Sequence, residues 1–249
     1  MAPGPPAASR ERVRESVNWL ENRDRTLNSV STEAVMEYRS GEQRVKARER
    51  IVAARPGLLR IEALSPLGVA AVVAAHGSEL EVYTAGNDTL VRAPATAEAL
   101  GRFARIPMAP SSAVALLMGL PPPGTQLSLH PIFAVRDNDF TLIGYPADNG
   151  TEREFGFGGG ELRMVRERGR DRHIRYEVRY SDYRNIGALM FPYRVEADFP
   201  ATSSSINLRY ERPIVDVAVS PSLFVLKAGP KTRELRLRDT DGAPLAPTS

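Results

Sequence analysis

Ile174, Tyr176, Val178 and Tyr180 alternate with Arg175, Glu177 and Arg179, and this period of two constrains the fold more than any other feature. The same alternation runs through Tyr193, Val195, Ala197 and Phe199, and through Ile206, Leu208 and Tyr210. Segments of this kind have one covered and one wet face, as antiparallel strands do. Further strand-like segments span 32–39, 44–54, 58–64, 69–75, 79–84 and 89–93. They are separated by Gly41, Pro56-Gly57, Pro66-Leu67-Gly68, His76-Gly77 and Gly86-Asn87-Asp88, which is turn chemistry at hairpin spacing. In the second half, 140–145, 152–157, 161–167, 173–180, 189–199, 205–210 and 215–219 complete the set.

Helical signals are few. Ser9 is placed to cap a helix carrying Val13, Val17, Leu20 and Leu27 on one stripe, with Trp19 beside it and Asp24 interrupting it. Residues 96–106 put Ala99, Leu100 and Phe103 on one side, and 111–120 end at Gly119 before Pro121-Pro122-Pro123. A sheet of about a dozen strands must curl to cover its apolar face. The fold class is therefore mainly β (α+β): a curved antiparallel sheet whose concave face is partly filled by a few short helices. Residues 1–8 read as a flexible tether and 9–226 as one domain. Residues 227–249 read as a polar, Pro-rich extension in which Leu235 and Leu237 are placed to add an edge strand.

Charge argues against nucleic acid. The 33 basic side chains face 30 acidic ones, so the net charge is only +3 and the signs interleave along the chain. The absence of cysteine excludes disulfides, thiolate catalysis and zinc–thiolate sites within this chain. The longest apolar run, from Leu67 to Ala75, is far short of the roughly 20 residues of a membrane helix. His76, His130 and His173 lack ligand spacing, so no metal is expected. Phe155-Gly156-Phe157-Gly158-Gly159-Gly160 lies between strands and opens no helix, so it reads as a hairpin turn and not a phosphate loop. Glu79/Glu81 and Glu152/Glu154 read as outward-facing strand residues. The arginines from Arg163 to Arg175 read as a solvated face diluted by Glu161, Glu167 and Asp171. No catalytic cluster and no cofactor motif is found, so the chain is not read as an enzyme.

Leu67 stands apart. It is held between Pro66 and Gly68 in a tight loop joining two strands, where it either folds back onto the core or projects as an apolar finger. Burying one leucine in an apolar phase contributes about 1.5–3 kcal/mol. That is too little to anchor a protein and enough to favour handing over an apolar cargo.

The run from Leu58 through Pro66-Leu67-Gly68 and the block Ala113-Val114-Ala115-Leu116-Leu117-Met118-Gly119-Leu120-Pro121 resemble the LolB-type outer-membrane lipoprotein receptors of the LolA/LolB-like superfamily. Arg55-Pro56-Gly57 and Ser222-Leu223-Phe224-Val225-Leu226 are similar to segments of the LolA-type carriers. The resemblance implies a strongly curved antiparallel half-barrel with a helical lid and a cavity for lipoprotein acyl chains, without cofactor or metal. It further implies a periplasmic LolA-like carrier and outer-membrane lipid as partners, a monomer, and a membrane-insertion role for Pro66, Leu67 and Gly68. Localisation would be the periplasmic face of the outer membrane, through a signal and a lipidated cysteine upstream of Ala2.

Alternation and the helical stripes nominate the cavity and its lid. They pick Trp19, Leu20, Tyr38, Leu59, Ile61, Val73 and Val82 in the first half, and Leu100, Phe103, Leu117, Tyr176, Val178, Val195 and Leu208 after them. With one tryptophan in the chain, the wall is expected to rely on aliphatics and tyrosines. Two alternatives stay open: a soluble periplasmic carrier of lipids or lipoproteins, and an enzyme using the cavity as a dry pocket.

Overall fold

The fold is described from a computed structural model covering residues 7–137 and 139–237. Most of the tether and residues 238–249 of the C-terminal extension lie outside the described residues. Helix α1 (Arg10–Thr26) comes first, with the Ser9 hydroxyl accepting from the Arg12 amide as N-cap. Six strands follow as a meander: β1 (Ser29–Ser40), β2 (Gln43–Ala54), β3 (Leu58–Ser65), β4 (Gly68–His76), β5 (Glu79–Thr84) and β6 (Thr89–Pro94). Helices α2 (Ala97–Ala104) and α3 (Pro110–Leu117) interrupt the strands. A second meander then runs through β7 (Phe133–Asp137), β8 (Phe140–Pro146), β9 (Glu152–Gly158), β10 (Glu161–Arg168), β11 (Ile174–Ile186), β12 (Leu189–Phe199) and β13 (Ser204–Tyr210). Two short strands follow, β14 (Ile214–Val215) and β15 (Arg233–Arg236).

All of these strands belong to one curved sheet, ordered β15-β6-β5-β4-β3-β2-β1-β13-β12-β11-β10-β9-β8-β7, with β14 beside β1. The two meanders meet where β1 pairs with β13, Ala34 opposite Tyr210 and Tyr38 opposite Ile206. The sheet stays open, since β7 and β15 end it on opposite sides. Pairing is antiparallel except between β15 and β6. One large core cluster occupies the concave side and draws residues from both meanders and all three helices.

Three features differ from the sequence expectation. β7 was not anticipated. β11 continues six residues beyond Tyr180, through polar Ser181–Asn185, where the alternation fades and Asp182 takes φ +54. The strand expected over 215–219 is only Ile214–Val215, because Asp216 turns the chain at φ +54 and its carboxylate accepts the Asn28 amide at 2.7 Å. Phe224 and Leu226 are buried against Val52, Ala54, Val72, Ala74 and Leu90 on the outer face of the sheet.

Candidate apolar cavity and exposed loop

The inward residues of β1–β4 and β11–β13 form one wall of a cavity of about 240 Å³, and α2, α3 and the segment between them form the other. Ile51, Ile61, Val73, Val178, Val195 and Leu208 supply branched aliphatic surface. Alanines at 47, 63, 71, 113 and 197 keep the space open, and Phe103, Ile106, Leu116 and Leu117 close it from the helices. The volume lies just below the range for drug-sized ligands, which suits a slender chain.

Helix α3 is fixed to the sheet at its C-terminus, where a helix leaves carbonyls unsatisfied. The Tyr180 hydroxyl donates to the Leu116 carbonyl at 2.9 Å and the Tyr210 hydroxyl to the Leu117 carbonyl at 2.8 Å. Arg23 donates to Met118 O at 2.8 Å and to Met190 O at 2.7 Å, with Trp19 and Phe191 stacked on its guanidinium. Burial pulls Arg23 below the ordinary arginine value and pushes Tyr180 and Tyr210 up. Helix α2 is held more lightly. Thr96 caps it through the Ala99 amide at 3.1 Å, and Leu100 is its one buried residue.

Of the residues nominated from sequence, Ile61, Val73, Phe103, Leu117, Val178, Val195 and Leu208 lie on the cavity wall. The other seven lie elsewhere in the core. Leu20, Leu59, Val82 and Leu100 are packed in the main cluster, and Trp19 sits edge-on to Phe157. Tyr38 carries Arg105 over its ring at 4.5 Å. Tyr176 donates to Glu167, which also pairs with buried Arg153 at 2.9 Å. The wall contains no tyrosine, contrary to expectation, because the buried hydroxyls are used to tie down helices and carboxylates.

Of the four glutamates read as outward-facing on strands, Glu79 is half-buried and the other three are buried. Glu81, Glu152 and Glu154 lie beneath arginines: Arg92 on Glu81, Arg172 on Glu152, Arg166 and Arg168 on Glu154. The basic 163–175 hairpin is thereby largely neutralised. His76, Glu79 and Glu81 come close enough to surround a cation. Glu81, however, is already engaged by Arg92 at 2.9 Å and by the Leu226 amide.

The other wall residues, Met36, Ile51, Leu116, Ile206 and Glu49 among them, were not nominated from sequence, and Glu49 is the one that carries a carboxylate. Glu49 points into the cavity and is 6% exposed, and burial pushes its carboxyl up to about 7. The signal was present: Glu49 shares the period-two face of Ile51 and Ala53.

Pro66 and Leu67 form the tip of the β3–β4 hairpin, and Gly68 takes φ +117, a conformation that suits glycine. The Ser65 hydroxyl braces the tip, accepting from the Leu67 amide at 3.3 Å and donating to Gly68 O at 3.0 Å. The Leu67 side chain is fully exposed, at 101%. Ala63 and Ala71, paired with each other four residues before and after Leu67, both line the cavity, so the loop is the tip of a hairpin whose arms form part of the cavity wall.

These features define a class: an open, curved antiparallel sheet with helices set in its concave face around an apolar cavity. The architecture is that of solved LolA-like structures. A LolA superfamily protein from Nitrosomonas europaea superposes with TM-score 0.57 at 11% identity, covering 85% of this chain and 97% of that one. A DUF1329 family protein from Desulfovibrio piger gives TM-score 0.61 at 11% identity over 86% and 97% of the two chains. A domain ascribed to an outer membrane lipoprotein-sorting protein of Vibrio parahaemolyticus gives 0.54 at 8% identity over 84% and 94%. No protein-family model and no curated protein matches the chain. No helix among the described residues is long and apolar enough to cross a membrane.

Proposed function

We propose that this protein is an acyl-chain carrier of the bacterial envelope, acting as a receptor that takes lipoproteins from a soluble periplasmic carrier and passes them to the outer membrane. The observation that carries this reading is the aliphatic cavity between the sheet and α2–α3. Its wall offers hydrophobic burial and almost no directional polar contacts, which suits an alkyl chain better than a reacting substrate. Delivery is assigned to Pro66-Leu67-Gly68, since a fully exposed leucine at the tip of a hairpin whose arms line the cavity can enter a bilayer as cargo leaves. Inserting it contributes about 1.5–3 kcal/mol, on the scale of a ten- to hundredfold bias towards transfer over retention.

The test is transfer of a purified lipoprotein from this protein to liposomes, comparing the wild type with Leu67→Glu. The variant should fold with unchanged stability and hold cargo, yet deliver it at least tenfold more slowly. Equal transfer rates would remove the finger from the account and leave a soluble carrier using the same cavity.

A further inference from the structure

Seven glutamates are buried among the described residues, and six of them face an arginine. Glu62 meets Arg50 and Arg60, Glu167 meets Arg153, Glu177 meets Arg166 and Arg179, and Glu81, Glu152 and Glu154 have the partners named above. Glu49 alone has neither an ion pair nor a hydrogen bond to its carboxylate. It sits mid-strand on β2, opposite Ala34 on β1 and Ala63 on β3, so its immediate neighbours leave room around the carboxylate. Among the described residues, the other charged side chain on the cavity wall is Arg105, which is half-buried and stacked on Tyr38. An acceptor held in an apolar wall without a donor is a site waiting for one from the ligand.

We propose that Glu49 is the polar anchor of the cavity, accepting hydrogen bonds from the nitrogen-bearing head, an amine or amide N–H, of an amphiphile whose single alkyl chain fills the aliphatic wall. This rests on the cavity being an acyl-chain site and adds to it the chemistry of the head. A carboxylate favours donors and cations and repels anionic heads, so fatty-acid anions are selected against. With its carboxyl titrating near 7, Glu49 is mostly ionised at pH 8, where the discrimination is largest.

The test uses the full chain, wild type and the variants Glu49→Gln and Glu49→Leu, at pH 8 and submicellar ligand. Dodecylamine, dodecanol and dodecanoate compete against diphenylhexatriene, a hydrocarbon probe indifferent to the anchor. The wild type should bind dodecylamine at least tenfold more tightly than dodecanol, and dodecanoate least. Glu49→Leu should lose that preference while still binding diphenylhexatriene, which shows that it is folded with its cavity intact. Glu49→Gln should retain dodecanol and lose most of the gain for the amine. Equal affinities of the wild type for amine and alcohol, or an unchanged preference in Glu49→Leu, would overturn the anchor. So would tightest binding of dodecanoate, which would transfer the head to Arg105. Failure of every form to bind diphenylhexatriene would overturn the cavity reading, and the anchor with it.

Discussion

The Tyr210 hydroxyl donates to the Leu117 carbonyl at 2.8 Å, so the strand that forms part of the cavity wall also holds the last turn of the helix that roofs it. Tyr180 does the same for Leu116, and Arg23 for Met118. Three successive carbonyls at the end of α3 are thus satisfied by side chains from β11, β13 and α1. Helix α2, which has one fully buried residue and the Thr96 cap, makes none of these carbonyl ties to β11, β13 and α1.

Replacing Tyr210 by Phe removes a donor and leaves a buried carbonyl unpaired. The expected cost is about 1–3 kcal/mol in urea unfolding, with faster amide exchange in α3 than in the wild type. Loss of stability without faster exchange there would argue that α3 is held by packing alone.

Thr96→Ala should act on the other helix. Losing the cap costs about 1 kcal/mol, and because α2 covers the cavity, ligand association should quicken while dissociation quickens too. Stopped-flow binding of an apolar fluorophore reads both rates. Unchanged rates would place the entrance elsewhere.

Glu49 makes apo stability depend on pH. Its carboxyl titrates near 4.5 when unfolded and about 7 when folded, so folding favours its protonated form. Its contribution is therefore full below about pH 4.5, is lost as the pH rises through 7, and is constant above that. The total is about 3 kcal/mol. Glu49→Gln should match the wild type near pH 4.5 and exceed it by up to this amount at pH 8.5, measured by chemical denaturation. A constant difference between the two proteins across that range would show that the carboxyl is not desolvated.

Ala63→Phe should fill part of the cavity from its β3 wall. The expected result is a protein as stable as the wild type or more so, with at least tenfold weaker binding of alkyl probes. Retained affinity would mean that ligands bind outside this space, for example in the groove lined by Val72, Tyr83 and Leu226 on the outer face.

The strands were legible in the sequence wherever one face is wet, because alternation then records the fold directly: β12 runs over the residues that the pattern marks, and β13 differs from them by one residue at its start. Legibility failed where the backbone, not burial, decides. Asp182 and Asp216 take left-handed conformations that extend one strand's irregular end and stop another. The place of Phe224 and Leu226 was not legible because they bury against the outer face, which alternation marks as wet. For the cavity, period two tells which residues face inward but not where along a curved sheet the helices fill the concavity. Ile61 therefore meets open space while Leu59, on the same face of the same strand, meets packed core. Leu67 was visible because its position between Pro66 and Gly68 in a tight hairpin is local information.

The most direct test of the central claim is to load the protein with a lipoprotein carrying a photoactivatable diazirine in one acyl chain, irradiate, and map the crosslinked peptides. The account predicts adducts on the cavity wall, on β3, β4 and β13 at or beside Ile61, Val73 and Leu208, and their loss in Ala63→Phe. Adducts confined to the outer face, or undiminished in Ala63→Phe, would contradict it.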